Sequence, residues 1–405
     1  MNDICIDIDY SQLYKDGQKI GGDVFLLSAD KDKNSIVTTL SDGLGSGVKA
    51  NVLASLTAHM GHKLSFSPIR LVHSAQIIMD TLPVDKEKGI SYSTFTIAHT
   101  SYTPNKDNIK LSLVEYDNPP SLRFHFDQIV EWDKESHKLS RKAAVKEECV
   151  YYSEFKMKLG DRLVFFSDGV AQAGIGLRPG SNNDEVGAKG WGVENVQSFI
   201  QETIAANPFI SARDLSRAIV TKAYSYDNYH ANDDITCAVI SVRKPRRTLI
   251  ITGAPRLRDY DKKLAEIIRN FDGKIIVSGG TTSRIVAREL GAELLPDKSP
   301  SGELPPTSII EGIDLVTEGM LTLSEVTERL DKHTLLKNMP EDAAKRLIKI
   351  LRETDQIQFV VGTKINDATE EDTNVANFGI RIPLIARLRR IINEKYSQEV
   401  EIDYL

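Results

Sequence analysis

The chain has 405 residues, which exceeds the usual size of a single compact core, and we therefore expect two domains. Its 57 acidic and 51 basic residues give a formal net charge of -6, which argues against a nucleic-acid binder that works through bulk positive charge. The sequence contains no run of about 18 apolar residues, so we expect no membrane span. Three widely spaced cysteines argue against a disulfide framework and favour a cytoplasmic protein.

The first three fifths of the chain are rich in extended runs between turn signals. β-Branched and aromatic residues fill these runs, which are DVFLLSA, SIVTTLSDG, YSTFTIAHT, KLSLVEYD, SLRFHF, DRLVFFSDG and ITCAVISV. Apolar residues at helical spacing occur at Val52, Leu53, Leu56 and Met60, and again in ENVQSFIQETIAA and SARDLSRAIVTKAYS. Strands followed by helices and then by more strands predict an α+β layered sandwich over residues 1–243.

A charged, proline-containing stretch, SVRKPRRTLI at 241–250, is typical of a linker. Beyond it, strand-like and helix-like runs alternate over residues 246–405. The strand-like runs are TLIITGA, KIIVSGG, GIDLVTEG, IQFVVGT and EVEIDYL, and the helical runs include DYDKKLAEIIRNF, TTSRIVAREL, TLSEVTERLDKH and IPLIARLRRIINEKY. This alternation predicts βαβ units and an α/β domain with a mainly parallel sheet.

Four Asp-Gly pairs occur in the chain: Asp16-Gly17, Asp42-Gly43, Asp168-Gly169 and Asp272-Gly273. Such a pair is ordinarily a turn, because glycine accepts positive φ and aspartate caps the backbone, and we interpret Asp16 and Asp272 in this way. Asp42 and Asp168 instead follow the long apolar runs IVTTLS and RLVFFS. A strand this apolar is buried, so both aspartates emerge at the rim of a core.

Two further carboxylate sites stand where extended runs begin. Asp23 follows Gly21 and Gly22, and Asp233 and Asp234 precede ITCAVISV. Carboxylates gathered without a counterion raise one another's pKa, and a divalent cation removes that repulsion. Mg²⁺ and Mn²⁺ prefer oxygen ligands, and glycines allow a backbone carbonyl to approach an ion closely. The pattern predicts a metal site at the strand ends of the first domain.

The order GGD…SDGxGxG…SDG…NDDIT resembles the metal-dependent serine/threonine protein phosphatases of type 2C, and among them the bacterial branch named for stage II sporulation protein E. The stretches YSTFTIA, VEYDNPPSLRF and DGLGSGVKA are similar to that branch as well. The resemblance covers residues 15–243. It implies a β-sandwich flanked by helices, in α-β-β-α layers, with metal ions at one edge.

The resemblance also implies roles for individual residues. Asp42 would bridge two Mn²⁺ or Mg²⁺ ions, the carbonyl of Gly43 would bind the second ion, and Asp168 and Asp233 would complete the first site. Asp23 would hold metal-bound water or bind metal directly, and Asp234 is the alternative to Asp233. Asp42 and Asp168 are therefore the catalytic candidates.

The implied reaction is hydrolysis of phosphoserine or phosphothreonine on a protein by water activated between the two ions, without a phospho-enzyme. Small phosphorylated regulators, such as antagonists of anti-sigma factors, are the substrates that the resemblance implies. Two other functions remain open: a catalytically silent binding protein, and an α/β domain that acts on a phosphorylated small molecule. The presence of all four carboxylate sites favours the enzyme. We expect no nucleic-acid or membrane partner, and the sequence indicates no oligomeric state.

The group that binds the substrate phosphate is not evident. The wider type 2C family has an N-terminal arginine for this purpose, whereas Lys15 and Lys19 are the cations that precede Asp23 here. Lys49 is a candidate, with a solvated surface lysine as the alternative. His59 and His62 are candidate acid catalysts, with surface or packing roles as the alternative. The sequence contains no HxH, HExxH or Cys/His cluster, so we do not expect a zinc site.

In the second domain, KIIVSGGTTSRIVAREL predicts a strand, a glycine–threonine loop and a helix, which is an arrangement that binds anions through backbone N–H groups. A phosphorylated small-molecule effector would contact Gly279, Gly280, Thr281, Thr282 and Ser283. The alternative is that Thr281 or Thr282 is a simple helix N-cap. The run GIDLVTEG predicts a second strand-end loop with Asp314, Thr317 and Glu318 at its tip. The segment resembles a C-terminal extension found in this branch, for which a regulatory role is a hypothesis.

Overall fold

The fold divides into two compact units, Asn2–Lys244 and Pro245–Leu405. The structure is a computed structural model, and the side chains of residues 373–380 lie outside its description. The described residues are 3–30, 34–45, 47–83, 93–105, 107–139, 148–176, 189–299, 302–364, 373–396 and 398–405.

Two antiparallel sheets form the first unit. Its strands are β1 (Cys5–Leu13), β2 (Asp23–Asp30), β3 (Ser35–Asp42), β4 (Phe95–Tyr102), β5 (Ile109–Tyr116), β6 (Leu122–His125), β7 (Gln128–Ile129), β8 (Glu135–Leu139), β9 (Glu148–Met157), β10 (Asp161–Phe166) and β11 (Ile235–Arg243). In the described residues, one sheet has the order β1-β11-β10-β6-β7 and the other β2-β3-β4-β5-β9-β8. The helices are α1 (Val48–Ser65), α2 (Leu71–Thr81), α3 (Asp168–Ala171), α4 (Val193–Ala206) and α5 (Ala212–Tyr226).

The central strands of the first unit are buried on both faces. In β10, Leu163 and Phe165 enter the core between the two sheets, whereas Val164 and Phe166 enter the core beneath α4 and α5. This division follows from the two-residue period of a strand. A third core packs α2 against the six-stranded sheet. The layers are therefore helix, sheet, sheet and helix, and the predicted helix-flanked sandwich is confirmed.

Helix α1 packs against the sheet with its small residues rather than with its large apolar residues. Its buried residues are small ones, including Ala50, Ala54, Ala58 and Gly61. Val52 and Leu56, which the sequence pattern groups on one helix face, are exposed. The small stripe allows the helix backbone to approach the strands closely, and Gly61 packs against Ile97 and Thr39.

The second unit is an α/β domain whose sheet is mainly parallel, as predicted. Its elements are β12 (Arg247–Thr252), α6 (Asp259–Asn270), β13 (Lys274–Ser278), α7 (Gly280–Leu290), β14 (Leu295–Pro296), β15 (Ser308–Ile309), β16 (Leu315–Thr317), α8 (Met320–Asp331), a 3-10 turn (Leu336–Asn338), α9 (Ala343–Arg352), β17 (Gln356–Val361), α10 (Thr373–Lys395) and β18 (Glu399–Tyr404). The strand order is β14-β15-β16-β13-β12-β17-β18. The last five strands of this order, β16, β13, β12, β17 and β18, are parallel. One core packs beneath α6 and α7, and the other beneath α8, α9 and α10.

The connection between the two units is shorter than the charged stretch 241–250. Strand β11 continues to Arg243 and β12 begins at Arg247, so residues 244–246 alone separate these strands. Arg243 stays within a strand, where it is opposite Cys5 of β1, and its guanidinium contacts Asp7 at 3.1 Å. Across the described part of the chain, each helix is too short or too polar to cross a bilayer.

Asp342 provides a test of what stabilises the second unit. It caps α9 by accepting from the Lys345 N–H at 2.8 Å, and both of its oxygens accept from Arg329, at 2.9 and 2.7 Å. Asp342→Ala removes the cap and leaves a largely buried guanidinium with Glu325 as its remaining partner. We expect a loss of about 2–4 kcal/mol in the free energy of unfolding.

Amide hydrogen exchange of residues 343–352 in the full chain measures this loss. Asp331→Ala is the matched control, because Asp331 also pairs with two cations, Arg387 and Lys395, but at an exposed position. Exposed pairs contribute little, so this variant should exchange almost as slowly as the parent chain. Equal effects of the two substitutions would contradict the stabilising role of the buried Asp342.

Candidate active site

Two aspartates face each other across neighbouring strands of the six-stranded sheet. Asp23 is the first residue of β2 and Asp42 is the last residue of β3, and the antiparallel register places them directly opposite. Asp23 is 3% exposed, so its carboxyl group lies inside the protein. Like charges directly opposite each other in a sheet are destabilising, so this pair requires a compensating partner.

The other sheet brings two more aspartates to the same place. Asp168 begins α3 just after β10, and Asp233 comes just before β11. The two strands are held in register beside these residues, because the Ser167 N–H donates to the Thr236 carbonyl at 3.0 Å. The Thr236 hydroxyl in turn donates to Asp23 Oδ2 at 2.6 Å. This bond joins the ends of the two sheets, so Asp23, Asp42, Asp168 and Asp233 form one acidic cluster.

The electrostatics of the acidic cluster are those of crowded, desolvated carboxyl groups. Burial, followed by the negative charges of Asp23 and Asp168, raises the pKa of Asp42 to about 10. Burial likewise raises the pKa of Asp23 to about 8, against the lowering effect of hydrogen bonds from Ser167 and Thr236. The pKa values of Asp168 and Asp233 are also raised, chiefly by burial. Burial is therefore the main cause of the raised pKa values, and mutual repulsion of the carboxylates adds to it.

Asp234 has a different environment from its neighbour Asp233. Its Oδ1 accepts from the backbone N–H of Lys15 at 2.8 Å, and its Oδ2 accepts from the backbone N–H of Gly22. The side chain is 5% exposed. Both oxygens are thus used to fasten the segment between β1 and β2 to the start of β11, which positions Asp23.

The backbone of α1 approaches residue 43 so closely that this position requires glycine. A Cβ atom at this position would lie 2.1 Å from the carbonyl oxygen of Ala50 in the first turn of α1, a separation that no side chain can accept. The preceding carbonyl, of Asp42, accepts from the Thr94 N–H at 2.8 Å and from the Ser93 hydroxyl at 2.9 Å. The backbone around Asp42 is therefore fixed by hydrogen bonds on one side and by α1 on the other.

The donor set fits a hard divalent cation in its chemistry. The acidic cluster offers carboxylate oxygens beside glycine backbone, and Mg²⁺ and Mn²⁺ prefer such oxygen ligands. Burial raises the pKa values of Asp23 and Asp42, and a nearby positive charge would favour their ionised forms. Among the residues that the structure describes, no group of three or more His, Cys, Asp or Glu side chains is already arranged to hold a metal ion.

The predicted histidines lie far along α1 from its start, whereas Lys49 is next to Ala50, which packs against Gly43. His59 and His62 lie in the last two turns of α1, with His62 roughly 20 Å along the axis from the first residue. His62 packs edge-on against Phe66, with ring centroids 5.1 Å apart, which supports the packing role. Lys49 is an exposed residue in the first turn of α1.

Sequence reasoning did not connect Lys15 with the acidic cluster. Its positive charge lowers the pKa of Asp233, against the larger raising effect of burial. Its backbone is held by Asp234. Lys15 and Asp233 are far apart in sequence, so the spacing of residues carries no signal of this contact.

The predicted anion-binding residues of the second unit line a cavity. Gly279, Gly280, Thr281 and Thr282 all contact it, and Ser283 lies behind them, donating from its hydroxyl to the Gly279 carbonyl at 2.6 Å. The prediction that Asp314 lies at the tip of a neighbouring loop is wrong. Asp314 precedes β16 and accepts from the Ile275 N–H at 2.8 Å, at the opposite end of that strand from Glu318.

The layered sandwich and its acidic edge define the first unit as a phosphatase domain of type 2C. The family model of stage II sporulation protein E (SpoIIE) matches residues 32–243, just over half of the sequence. The chain belongs to that family. Asp42, Asp168 and Asp233 lie within the matched range, and Asp23 lies before it.

Solved structures give weaker similarities. The phosphatase domain of the cell-fate determinant SpoIIE from Bacillus subtilis is 16% identical, with a TM-score of 0.42 over 60% of this chain and 95% of that one. The catalytic domain of the serine/threonine phosphatase PstP, in complex with two manganese ions, is 13% identical, with a TM-score of 0.36 over 59% and 100%. With scores this low, the family assignment rests on the match to the family model. The search of curated proteins gives no match.

The contrast between Asp233 and Asp234 is testable by stability. Asp234→Asn places an NH₂ group against one of two backbone N–H groups that the carboxylate now accepts from. We expect a loss of about 1–3 kcal/mol for the first unit in metal-free protein. Asp233→Asn removes a negative charge from a crowded cluster and should cause no loss. Both tryptophans, Trp132 and Trp191, lie in the first unit, so fluorescence during denaturation reports on it alone. Equal losses for the two variants would contradict this distinction.

Proposed function

We propose that the first unit hydrolyses phosphoserine or phosphothreonine on a protein, in a reaction that depends on two Mn²⁺ or Mg²⁺ ions. The observation that carries this proposal is the acidic cluster, in which four aspartates from two sheets meet at one edge of a SpoIIE-family domain. Their raised pKa values indicate a site that is incomplete without cations. Such a cluster lowers the stability of the folded unit, so a functional role explains its presence better than a structural one.

The residues that would hold the ions are Asp23, Asp42, Asp168 and Asp233, with the Gly43 carbonyl as a further oxygen ligand. Asp42 lies centrally, because the charges of Asp23, Asp168, Asp233 and Asp234 all act on it. We assign Asp233 rather than Asp234 as a ligand, because both oxygens of Asp234 are occupied by backbone N–H groups. When bound, two such ions lower the pKa of a shared water and offset charge on the phosphoryl oxygens.

The remaining contribution of the chain is to hold these carboxylates in place. Gln172 donates to Asp168 Oδ2 at 2.9 Å, and Thr236 donates to Asp23. Asp234 holds the loop that carries Gly22 and so fixes the start of β2. We further propose Lys15 as a contact for the substrate phosphate, because its charge already acts on Asp233. An attacking water makes a serine or cysteine nucleophile unnecessary.

Family membership supports a role in bacterial signalling, in the cytoplasm. We propose as substrate a small phosphorylated regulatory protein of the kind represented by anti-sigma-factor antagonists. The phosphoryl group of such a protein would have to reach the edge where β3 and β10 end and where β2 and β11 begin. A phosphorylated serine or threonine on an exposed loop satisfies this requirement.

Substitution of the central aspartates tests the proposed reaction. Asp42→Asn and Asp168→Asn each remove a proposed ligand charge, and we expect Mn²⁺-dependent hydrolysis of an aryl phosphate and of phosphoproteins to fall by more than about a hundredfold. Asp16→Asn is the matched control: Asp16 also precedes a glycine, but it lies in an exposed turn and pairs with His230. This variant should retain full activity.

Two results would refute the enzymatic assignment. One is the absence of hydrolysis by folded, Mn²⁺-supplied protein on aryl phosphate and on every phosphoprotein tested, which would favour a silent binding protein. The other is activity that persists in Asp42→Asn at the level of Asp16→Asn. In that case the acidic cluster would not be the catalytic centre.

The raised pKa values also predict how metal binding depends on pH. Asp42, with a pKa of about 10, and Asp23, with a pKa of about 8, are protonated at neutral pH in metal-free protein. Cations bind the deprotonated groups, so binding must release protons. We expect the apparent affinity for Mn²⁺ to rise with pH between about 6 and 8, by up to about tenfold per pH unit for each proton released.

Titration calorimetry in buffers of different ionisation enthalpy counts the released protons directly. Asp42→Asn should release fewer protons than the parent chain, whereas Asp16→Asn should release the same number. An affinity for Mn²⁺ that does not change over this pH range would show that the ligands are already deprotonated at pH 6, which contradicts the raised pKa values of Asp23 and Asp42.

A further inference from the structure

The second unit contains a polar cavity at the carboxyl ends of its parallel strands. The residues that follow β12, β13, β16 and β17 all contribute to its lining. In open α/β sheets, ligands bind in the crevice outside these strand ends. The cavity has a volume of about 180 Å³. Pockets that enclose drug-sized molecules measure roughly 300–1,000 Å³, so this cavity suits one end of a ligand rather than the whole molecule.

Two helices begin at the cavity. Gly279 precedes α7 and Gly319 precedes α8, and neither helix has a side chain that caps its N-terminus. The first N–H groups of each helix have no intrahelical partner, and the aligned peptide dipoles place positive partial charge there. The alternative that Thr281 or Thr282 is the N-cap of α7 is excluded, because both residues lie inside the helix.

Two cationic side chains line the same cavity. They are Lys364, which follows β17, and Arg381 of α10. Arg381 is partly buried, and its Nε has no hydrogen-bond partner within the described residues. One of its terminal nitrogens, Nη1, makes a long contact of 3.4 Å with the Gly362 carbonyl. Burial lowers its pKa, which means that the charged form lacks the solvation that it has in water.

Gly253 provides the space that the guanidinium occupies. Its φ of +85° lies in the left-handed region, and a Cβ atom there would lie 2.5 Å from Arg381 Nη1. Among the described residues, the lining also includes one carboxylate, Glu318, which is exposed. Arg381 is therefore the partly buried charge of the cavity, whereas Lys364 and Glu318 are both exposed and lie where they can reach solvent or a ligand.

We propose that this cavity binds the phosphate or diphosphate group of a phosphorylated small molecule. Two helix N-termini and two cations surround a space of phosphate scale, and the Nε of Arg381, which has no partner among the described residues, can donate to an acceptor. The rest of the ligand would extend toward the rim, past Glu318. This assignment is independent of the reaction proposed for the first unit, because none of these residues belongs to that unit.

The test is titration calorimetry of the metal-free full-length chain with inorganic phosphate, pyrophosphate and ADP. Without metal, the acidic cluster of the first unit offers no cation to hold these anions, so it does not compete. Arg381→Met should weaken binding by roughly tenfold or more, because it removes a charge-assisted hydrogen bond. Arg389→Met is the matched control on the same helix, at an exposed position outside the cavity, and should bind as the parent chain does.

Gly280→Leu provides a second variant that does not depend on removing a charge. A Cβ atom at Gly280 meets no other atom within 4 Å, so the substitution is compatible with folding but places a side chain at the cavity. Loss of binding in Arg381→Met and in Gly280→Leu, with retention in Arg389→Met, supports the site. Absence of binding of all three anions to the parent chain, or equal binding by all variants, overturns it.

Discussion

The first unit depends on the opposition of Asp23 and Asp42 across two antiparallel strands. Two carboxyl groups placed directly opposite, and partly or fully buried, resist ionisation, and Asp168 and Asp233 add to the repulsion. The surrounding structure is arranged to hold this unfavourable group together. Three separate cores stabilise the two sheets and their helices, and the hydroxyl of Thr236 joins the sheets where the charges meet. The apolar cores thus offset the unfavourable free energy of the clustered aspartates, an arrangement that does not itself stabilise the fold.

Much of this organisation follows from the sequence. The run RLVFFS has no polar alternation because β10 is buried on both faces, and that same property predicts that the next residue, Asp168, leaves the core at its rim. The parallel sheet of the second unit could be predicted because strand-like and helix-like runs alternate in the chain. The strand-end positions of the aspartates are evident from the sequence, and their convergence depends on strand pairing that only the fold defines.

Other features could not be predicted, for identifiable reasons. Asp233 and Asp234 are chemically identical neighbours, and their roles separate only because successive side chains point in different directions and one meets the N–H groups of Lys15 and Gly22. The exposed position of Val52 and Leu56 contradicts their apolar character, because close helix–sheet packing selects the small residues of α1 instead. Asp314 belongs to the entrance of β16 rather than its exit, since the apolar run that marks this strand is only three residues long.

The close approach of Gly279 and Gly319 has a consequence for the behaviour of the protein in different salts. A Cβ atom on Gly319 would lie 3.2 Å from the Gly279 Cα, so the starts of α7 and α8 are held side by side with like partial charges adjacent. The acidic cluster of the first unit and the helix starts of the second unit therefore differ in the sign of their local charge. Multivalent anions would stabilise the second unit and divalent cations the first, by mass action on each folded unit. Buffer composition, rather than ionic strength alone, would then determine which unit unfolds first.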